Sequence, residues 1–186
     1  MPSDPELIAS AGRGDDAAFG EIAERHQAAV FRFLRSIGAD GANAEDALQE
    51  TFLGAWRGAA GFRGESSVRA WLFTIARNAM MRQHRRRVDE PAETESLSSL
   101  GDAAGWGSDD DPERDVIESE QRALFQRAMG RLSAADREIL LLRDIEGLSG
   151  EEAAAVIGVP IAAMKTRLHR ARLRLAANVR NEYARA

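Results

Sequence analysis

Lys165, Thr166, His169 and Arg170 are spaced so that a helix brings all four onto one arc, because each residue advances about 100° around the axis. Met164, Leu168, Ala171 and Leu175 fall on the roughly opposite arc. One face can therefore pack while the other offers cations and hydroxyl or ring donors at the spacing of a helix lying in a DNA major groove. Arg167 and Arg174 lie toward the side, where they suit phosphate contact. A solvated basic face has a similar composition, but here the two-faced helix agrees with the cap and turn that precede it. Covalent chemistry is poorly served by this chain. It has no cysteine, and its three histidines, His26, His84 and His169, are scattered without metal-ligand spacing. No Gly-rich phosphate loop is present. Glu151-Glu152 reads as a pair of charges complementing a helix N-terminus rather than as catalytic acids. The expectation is a binding protein, not an enzyme, with no catalytic residue, no metal and no cofactor.

The elements that must position these donors are legible just upstream. Ser149 stands three residues before Glu152, the capping-box spacing for a short helix from Ser149 to Ile157. Gly158 can supply a left-handed turn, and Pro160 suits the start of the next helix, which runs to about Tyr183. This is a helix-turn-helix.

Elsewhere helical periodicity dominates and no hairpin signal interrupts it. Ser3 or Asp4 caps a short helix with Pro5 at its start. Asp15 or Asp16 opens a second through about Ile37. A third runs from Ala42 to about Ala59, and a fourth from Ser66 or Ser67 to about Arg87. Further helices are expected over Pro112 to Arg131 and Ser133 to Ile145. The stretch 89–115 lacks helical period and carries ten acidic residues against one basic, whereas residues 1–88 hold 12 basic and 11 acidic, and residues 116–186 hold 12 and 9. The net charge of −5 is thus an average over unlike parts, and local field decides where phosphates bind. The expected architecture is all-α: two small helical bundles, 1–88 and 116–186, joined by a flexible acidic linker, 89–115, with the helix-turn-helix in the second bundle. The longest uncharged apolar run, Ala153 to Met164, is too short to span a bilayer, no signal peptide is visible, and the absence of cysteine fits a reducing cytoplasm. No membrane insertion is expected.

Two more surfaces stand out. On the third helix Leu48, Thr51, Phe52 and Ala55 share one face, and Glu45, Asp46, Gln49, Glu50, Leu53 and Trp56 share a second about 100° away. Leu53 and Trp56 among carboxylates suit docking to a basic, partly apolar partner; a wide core that buries Trp56 would give the same pattern. The fourth helix follows Phe62-Arg63-Gly64-Glu65-Ser66-Ser67 and ends in Arg82-Gln83-His84-Arg85-Arg86-Arg87. Arg77 points away from its apolar face and Asn78 sits at the edge. A Gly/Ser loop beside so many arginines suits phosphate contact and a single-strand pocket, although one or two of the arginines simply complement the helix dipole.

Taken together, Ala44-Glu45-Asp46-Ala47-Leu48-Gln49-Glu50-Thr51-Phe52-Leu53-Gly54-Ala55-Trp56, then Phe62 to Ser67 with Trp71-Leu72 and Ile75-Ala76-Arg77-Asn78, then Lys165-Thr166-Arg167-Leu168-His169-Arg170-Ala171-Arg172 resemble the extracytoplasmic-function group of bacterial sigma factors. The resemblance covers nearly the whole chain. It implies that 1–88 is region 2 and 116–186 is region 4. It implies that Glu45, Asp46, Gln49, Glu50, Leu53 and Trp56 meet the clamp helices of the largest subunit of core RNA polymerase, with region 4 on the flap of the second largest. Phe62, Arg63, Gly64, Ser66, Ser67, Arg77, Asn78, Arg82, Arg85 and Arg86 would recognise and open the −10 element of promoter DNA. Lys165, Thr166, Arg167, His169, Arg170 and Arg174 would read the −35 element. An anti-sigma factor is the expected inhibitor. Ala162-Ala163-Met164 replaces the family's common Gly-Thr-Val, and Met80-Met81-Arg82 follows Asn78 where many members carry an acid; both departures bear on promoter preference. The competing reading is a stand-alone helix-turn-helix regulator with an N-terminal dimerisation or sensor domain, which leaves the Glu45–Trp56 face and the Phe62–Ser67 loop without a role.

Overall fold

The computed structural model describes residues 1–38, 41–87 and 112–184, with the side chains of 85–87 and 112–119 outside that description. Every regular element among the described residues is helical. The first half holds α1 (Asp4–Ala11), α2 (Asp16–Ser36), α3 (Gly41–Gly58), a single 3₁₀ turn (Ala59–Gly61) and α4 (Val68–Arg87). The second holds α5 (Pro112–Gly130), α6 (Ala134–Leu140), which continues as a π turn (Leu141–Ile145), then α7 (Gly150–Ile157) and α8 (Ile161–Tyr183). Most of the expected linker, residues 89–111, lies outside the described residues; its last residues, 112–115, belong to α5.

Local chemistry sets these boundaries. Asp15 caps α2 by accepting from the Ala18 amide at 3.0 Å. Ser67 caps α4 through the Ala70 amide at 3.1 Å, and Ser133 caps α6 through Asp136 at 3.1 Å. Each satisfies a helix-start donor that would otherwise be orphaned. In the first half, α3 and α4 approach closely because Gly54 and Gly58 leave no Cβ between them: one built there would meet Ile75 and the Trp71 ring, each at 3.2 Å. Phe33 of α2 packs on Phe73 of α4 with ring centroids 5.0 Å apart, and both are fully buried.

The two helical bundles pack against each other. One contiguous apolar core runs through both. α7 lies against α4, and α6 with its π turn lies against α2. The expected all-α pair of bundles stands, with the second packed on the first through this core. The linking groups are charges far apart in sequence, to which helical periodicity is blind.

Candidate nucleic-acid and polymerase interfaces

The helix-turn-helix is built as its residues dictate. The Ser149 hydroxyl accepts from the Glu152 amide at 3.1 Å, and the Glu152 carboxylate accepts from the Ser149 amide at 2.9 Å, a reciprocal capping box. Gly158 takes φ +69°, ψ +40°, a left-handed stop that a Cβ would strain. α8 then starts at Ile161, and Gly150 sits close under it, where a Cβ would meet the Met164 methyl at 3.3 Å. Met164, Leu168 and Ala171 are buried and Leu175 is half-buried. Lys165, Thr166, His169 and Arg170 are all exposed on the other side, and Arg167 is intermediate. The Thr166 hydroxyl donates to the Ala162 carbonyl at 3.0 Å, which fixes its rotamer and leaves its lone pairs outward. Two ion pairs brace the helix. Arg172 forks onto Asp144 at 3.0 and 2.5 Å, and Arg174 bonds Asp136 at 2.7 Å. Arg174 therefore reaches a phosphate only by sharing or leaving Asp136. The exposed Leu173 (58%) joins the donor arc one turn beyond His169 and Arg170; sequence reasoning had not singled it out.

On α3, Glu45, Asp46, Gln49 and Leu53 are exposed, with Leu53 at 46%. Trp56 is half-buried and meets the Phe19 ring edge-on at a centroid distance of 5.1 Å. The acidic face is therefore open, but Trp56 belongs partly to the core. Glu50 approaches Arg82 of α4 at 3.9 Å, linking this face to the arginine-rich end of α4.

In the loop before α4, Phe62 packs on Trp71 (5.1 Å) and Gly64 takes φ +71°. Arg63 is exposed, 3.7 Å from Glu65, and Ser66 is half-buried. Asn78 and Arg82 are exposed. Arg85 and Arg86 lie on the last turn of α4, with side chains outside the described residues. Arg77 and Ser67 are engaged by the other half of the molecule. The Arg77 Nε donates to Glu138 at 2.7 Å, and the Ser67 amide donates to Glu152 at 3.0 Å.

Glu152 thus serves two ends, its own helix cap and the start of α4. The hydrogen bond with Ser67, followed by those with Ser149, holds its carboxyl at about 2, against the desolvation that opposes them. A carboxyl depressed on folding stabilises the fold above its unfolded value, about 4.3, and that stabilisation is lost as pH falls from there through about 2. The stability difference between parent and Glu152→Gln should therefore shrink across that window. Thermal melts of both chains at stepped pH check this; a constant difference from pH 6 to pH 2.5 would contradict the assigned contacts.

Residues 22–89 match the family described as sigma-70 region 2, and residues 122–175 match sigma-70 region 4. The chain is 36% identical over 178 residues to the RNA polymerase sigma factor CnrH of Cupriavidus metallidurans, covering 94% of this chain and 93% of the relative. It is 33% identical over 175 residues to the ECF RNA polymerase sigma factor SigM of Mycobacterium tuberculosis, covering 94% and 83%. The chain belongs to the extracytoplasmic-function sigma factors. Two solved structures resemble this sigma factor in fold. One is CnrH in complex with the cytosolic domain of CnrY (TM-score 0.62, 29% identity, 94% of this chain and 95% of that one). The other is the sigma factor RpoE of Bartonella quintana in complex with the anti-sigma factor NepR (TM-score 0.66, 31% identity, 87% and 96%). Among its described residues the sigma factor has no helix long and apolar enough to cross a membrane.

Proposed function

We propose that this sigma factor binds core RNA polymerase through the acidic face of α3, opens the −10 element with the Phe62–Ser67 loop and α4, and reads the −35 element with α8. The observation that carries the reading is α8 itself: four exposed donors on one arc, backed by a buried apolar stripe and held by a fully formed helix-turn-helix. Residues 1–88 act as region 2 and 116–186 as region 4, with 89–115 as an acidic connection that DNA repels. The protein works by binding, in the bacterial cytoplasm where polymerase and chromosome meet, and catalyses no covalent step of its own. An anti-sigma factor holds it inactive, a reading supported by the structural relative RpoE, which is bound to the anti-sigma factor NepR.

Asn78 gives the test of the opening step. It is exposed on α4, two helical turns beyond Trp71, whose ring packs on Phe62 of the preceding loop. Asn78→Ala should cut promoter opening about tenfold, the loss of one or two bonds to an unstacked base, while core binding stays at the parent level. Permanganate reactivity of the −10 thymines reads opening. Equal reactivity in parent and variant would remove Asn78 from the single-strand pocket.

A further inference from the structure

The outer face of α8 carries one group that the promoter reading leaves unused. At about 100° of rotation per residue, the mean direction of Lys165, Thr166, His169 and Arg170 falls within about 10° of Leu173. Leu173 is 58% exposed. Its chain neighbours are drawn back from it: Arg172 forks onto Asp144 of the π turn, and Arg174 bonds Asp136 of α6 at 2.7 Å. These two pairs, one on either side, fix the rotation of α8, while Ala171 and Leu175 occupy the opposite face, buried and half-buried. Leu173 is therefore held on the centre line of the donor arc. Over residues 161–175 the other exposed residues within about 20° of that line are Ala162 and Thr166, and both carry methyl groups. A lone exposed leucine needs no explanation on an arbitrary surface. In the middle of a face that enters a DNA groove it does, because contact there expels water from whatever the leucine meets.

Base edges in the major groove offer one methyl group, that on C5 of thymine. We propose that Leu173 is a specificity-determining residue of the −35 contact: its side chain packs on a thymine methyl, so that this sigma factor selects thymine at that position. The inference rests on the −35 reading of α8. Two physical effects point the same way. Covering a methyl with a leucine removes apolar surface from water on both sides. Against adenine or cytosine the same leucine covers an amino group without offering it an acceptor, and against guanine it covers two acceptors without offering a donor. The preference thus comes as much from what is rejected as from what is gained. The axial rise sets the position. Leu173 stands seven residues beyond Thr166, about 10 Å along the axis, or about three base pairs at about 3.4 Å each. It therefore reaches an outer position of the element, beyond the base pairs that Lys165 and Thr166 meet.

The test uses holoenzyme reconstituted from core RNA polymerase and the full chain, with transcription from promoters randomised across the −35 element. Leu173 is exposed, so substitutions there cost the fold little. Leu173→Ala should abolish a thymine preference at one outer position and leave the other positions at the parent profile. Leu173→Met, which keeps an apolar side chain of similar reach, should retain that preference. Leu173→Gln, which can pair with adenine N6 and N7, should move it toward adenine. Replacing the selected thymine by uracil deletes only the methyl. It should weaken binding of the parent holoenzyme about threefold and leave the Leu173→Ala holoenzyme unaffected. The salt dependence of binding should be the same for parent and Leu173→Ala, because no phosphate contact is lost. A Leu173→Ala profile lowered alike at all sequences overturns the inference, as does a parent holoenzyme indifferent to uracil at the selected thymine. Preferences that change with Arg170→Ala but not with Leu173→Ala overturn it too, and leave the −35 reading of α8 standing. Preferences unchanged by both substitutions overturn that reading itself, and the inference with it.

Discussion

Leu53→Glu is expected to abolish most binding of this sigma factor to core RNA polymerase while leaving its thermal unfolding close to the parent. Leu53 is exposed amid Glu45, Asp46 and Gln49 on the open face of α3, so a carboxylate there costs the fold little. An apolar anchor at the centre of an interface commonly carries about 2 kcal/mol or more, about 30-fold in affinity, and a buried unpaired charge adds to the loss. Trp56→Ala should behave differently. Trp56 is half-buried against Phe19, so its truncation should cost about 2 kcal/mol of stability, less than the loss for a fully buried tryptophan, and weaken polymerase binding as well. The pair separates docking from packing on one helix face. Measured by fluorescence anisotropy with core enzyme and by melting, a Leu53→Glu chain that binds like the parent would remove this face from the polymerase interface.

The second large effect belongs to α8. Arg170→Ala should flatten the preference at one or two positions of the −35 element, because a bidentate base contact carries about 1–3 kcal/mol of discrimination. Lys165→Ala and His169→Ala should alter preference at neighbouring positions. Arg174→Ala should act otherwise. Its guanidinium is tied to Asp136 at 2.7 Å, so the change should loosen the brace between α8 and α6 and lower affinity for all sequences alike, with a shallower salt dependence at most. Transcription from a randomised −35 library gives both profiles. Identical preferences for Arg170→Ala and the parent, differing only in strength, would show that α8 does not read bases through this arc.

Much of this was legible in the residues. Ser149 with Glu152, Gly158 and Pro160 mark the helix-turn-helix because caps and left-handed turns depend on nearest neighbours. The division of α8 into Met164, Leu168 and Ala171 inside and Lys165, Thr166, His169 and Arg170 outside follows from its period alone. The π turn at Leu141–Ile145 was read as plain helix, since nothing in Leu-Leu-Arg-Asp-Ile distinguishes a six-residue loop of hydrogen bonding; there the Glu146 amide bonds the Leu141 carbonyl at 2.8 Å. The seam between the halves was invisible for a different reason. Arg32 and Glu146 are 114 residues apart, and Arg77 and Glu138 are 61 apart. As isolated letters they are ordinary surface charges, and only the tertiary fold turns Glu138 and Glu146 inward. Arg77 was correctly read as pointing away from its own core, but what it points at could not be seen from α4 alone.

The most direct test of the account is transcription reconstituted from purified core RNA polymerase, this sigma factor and a library of fragments from the source genome, with no inhibitor present. The account predicts discrete start sites that share two sequence elements at a fixed spacing. It further predicts that the upstream element alone changes with Arg170→Ala and that melting at the downstream one falls with Asn78→Ala. Core polymerase that remains without promoter-specific starts when supplied with the parent chain would contradict it.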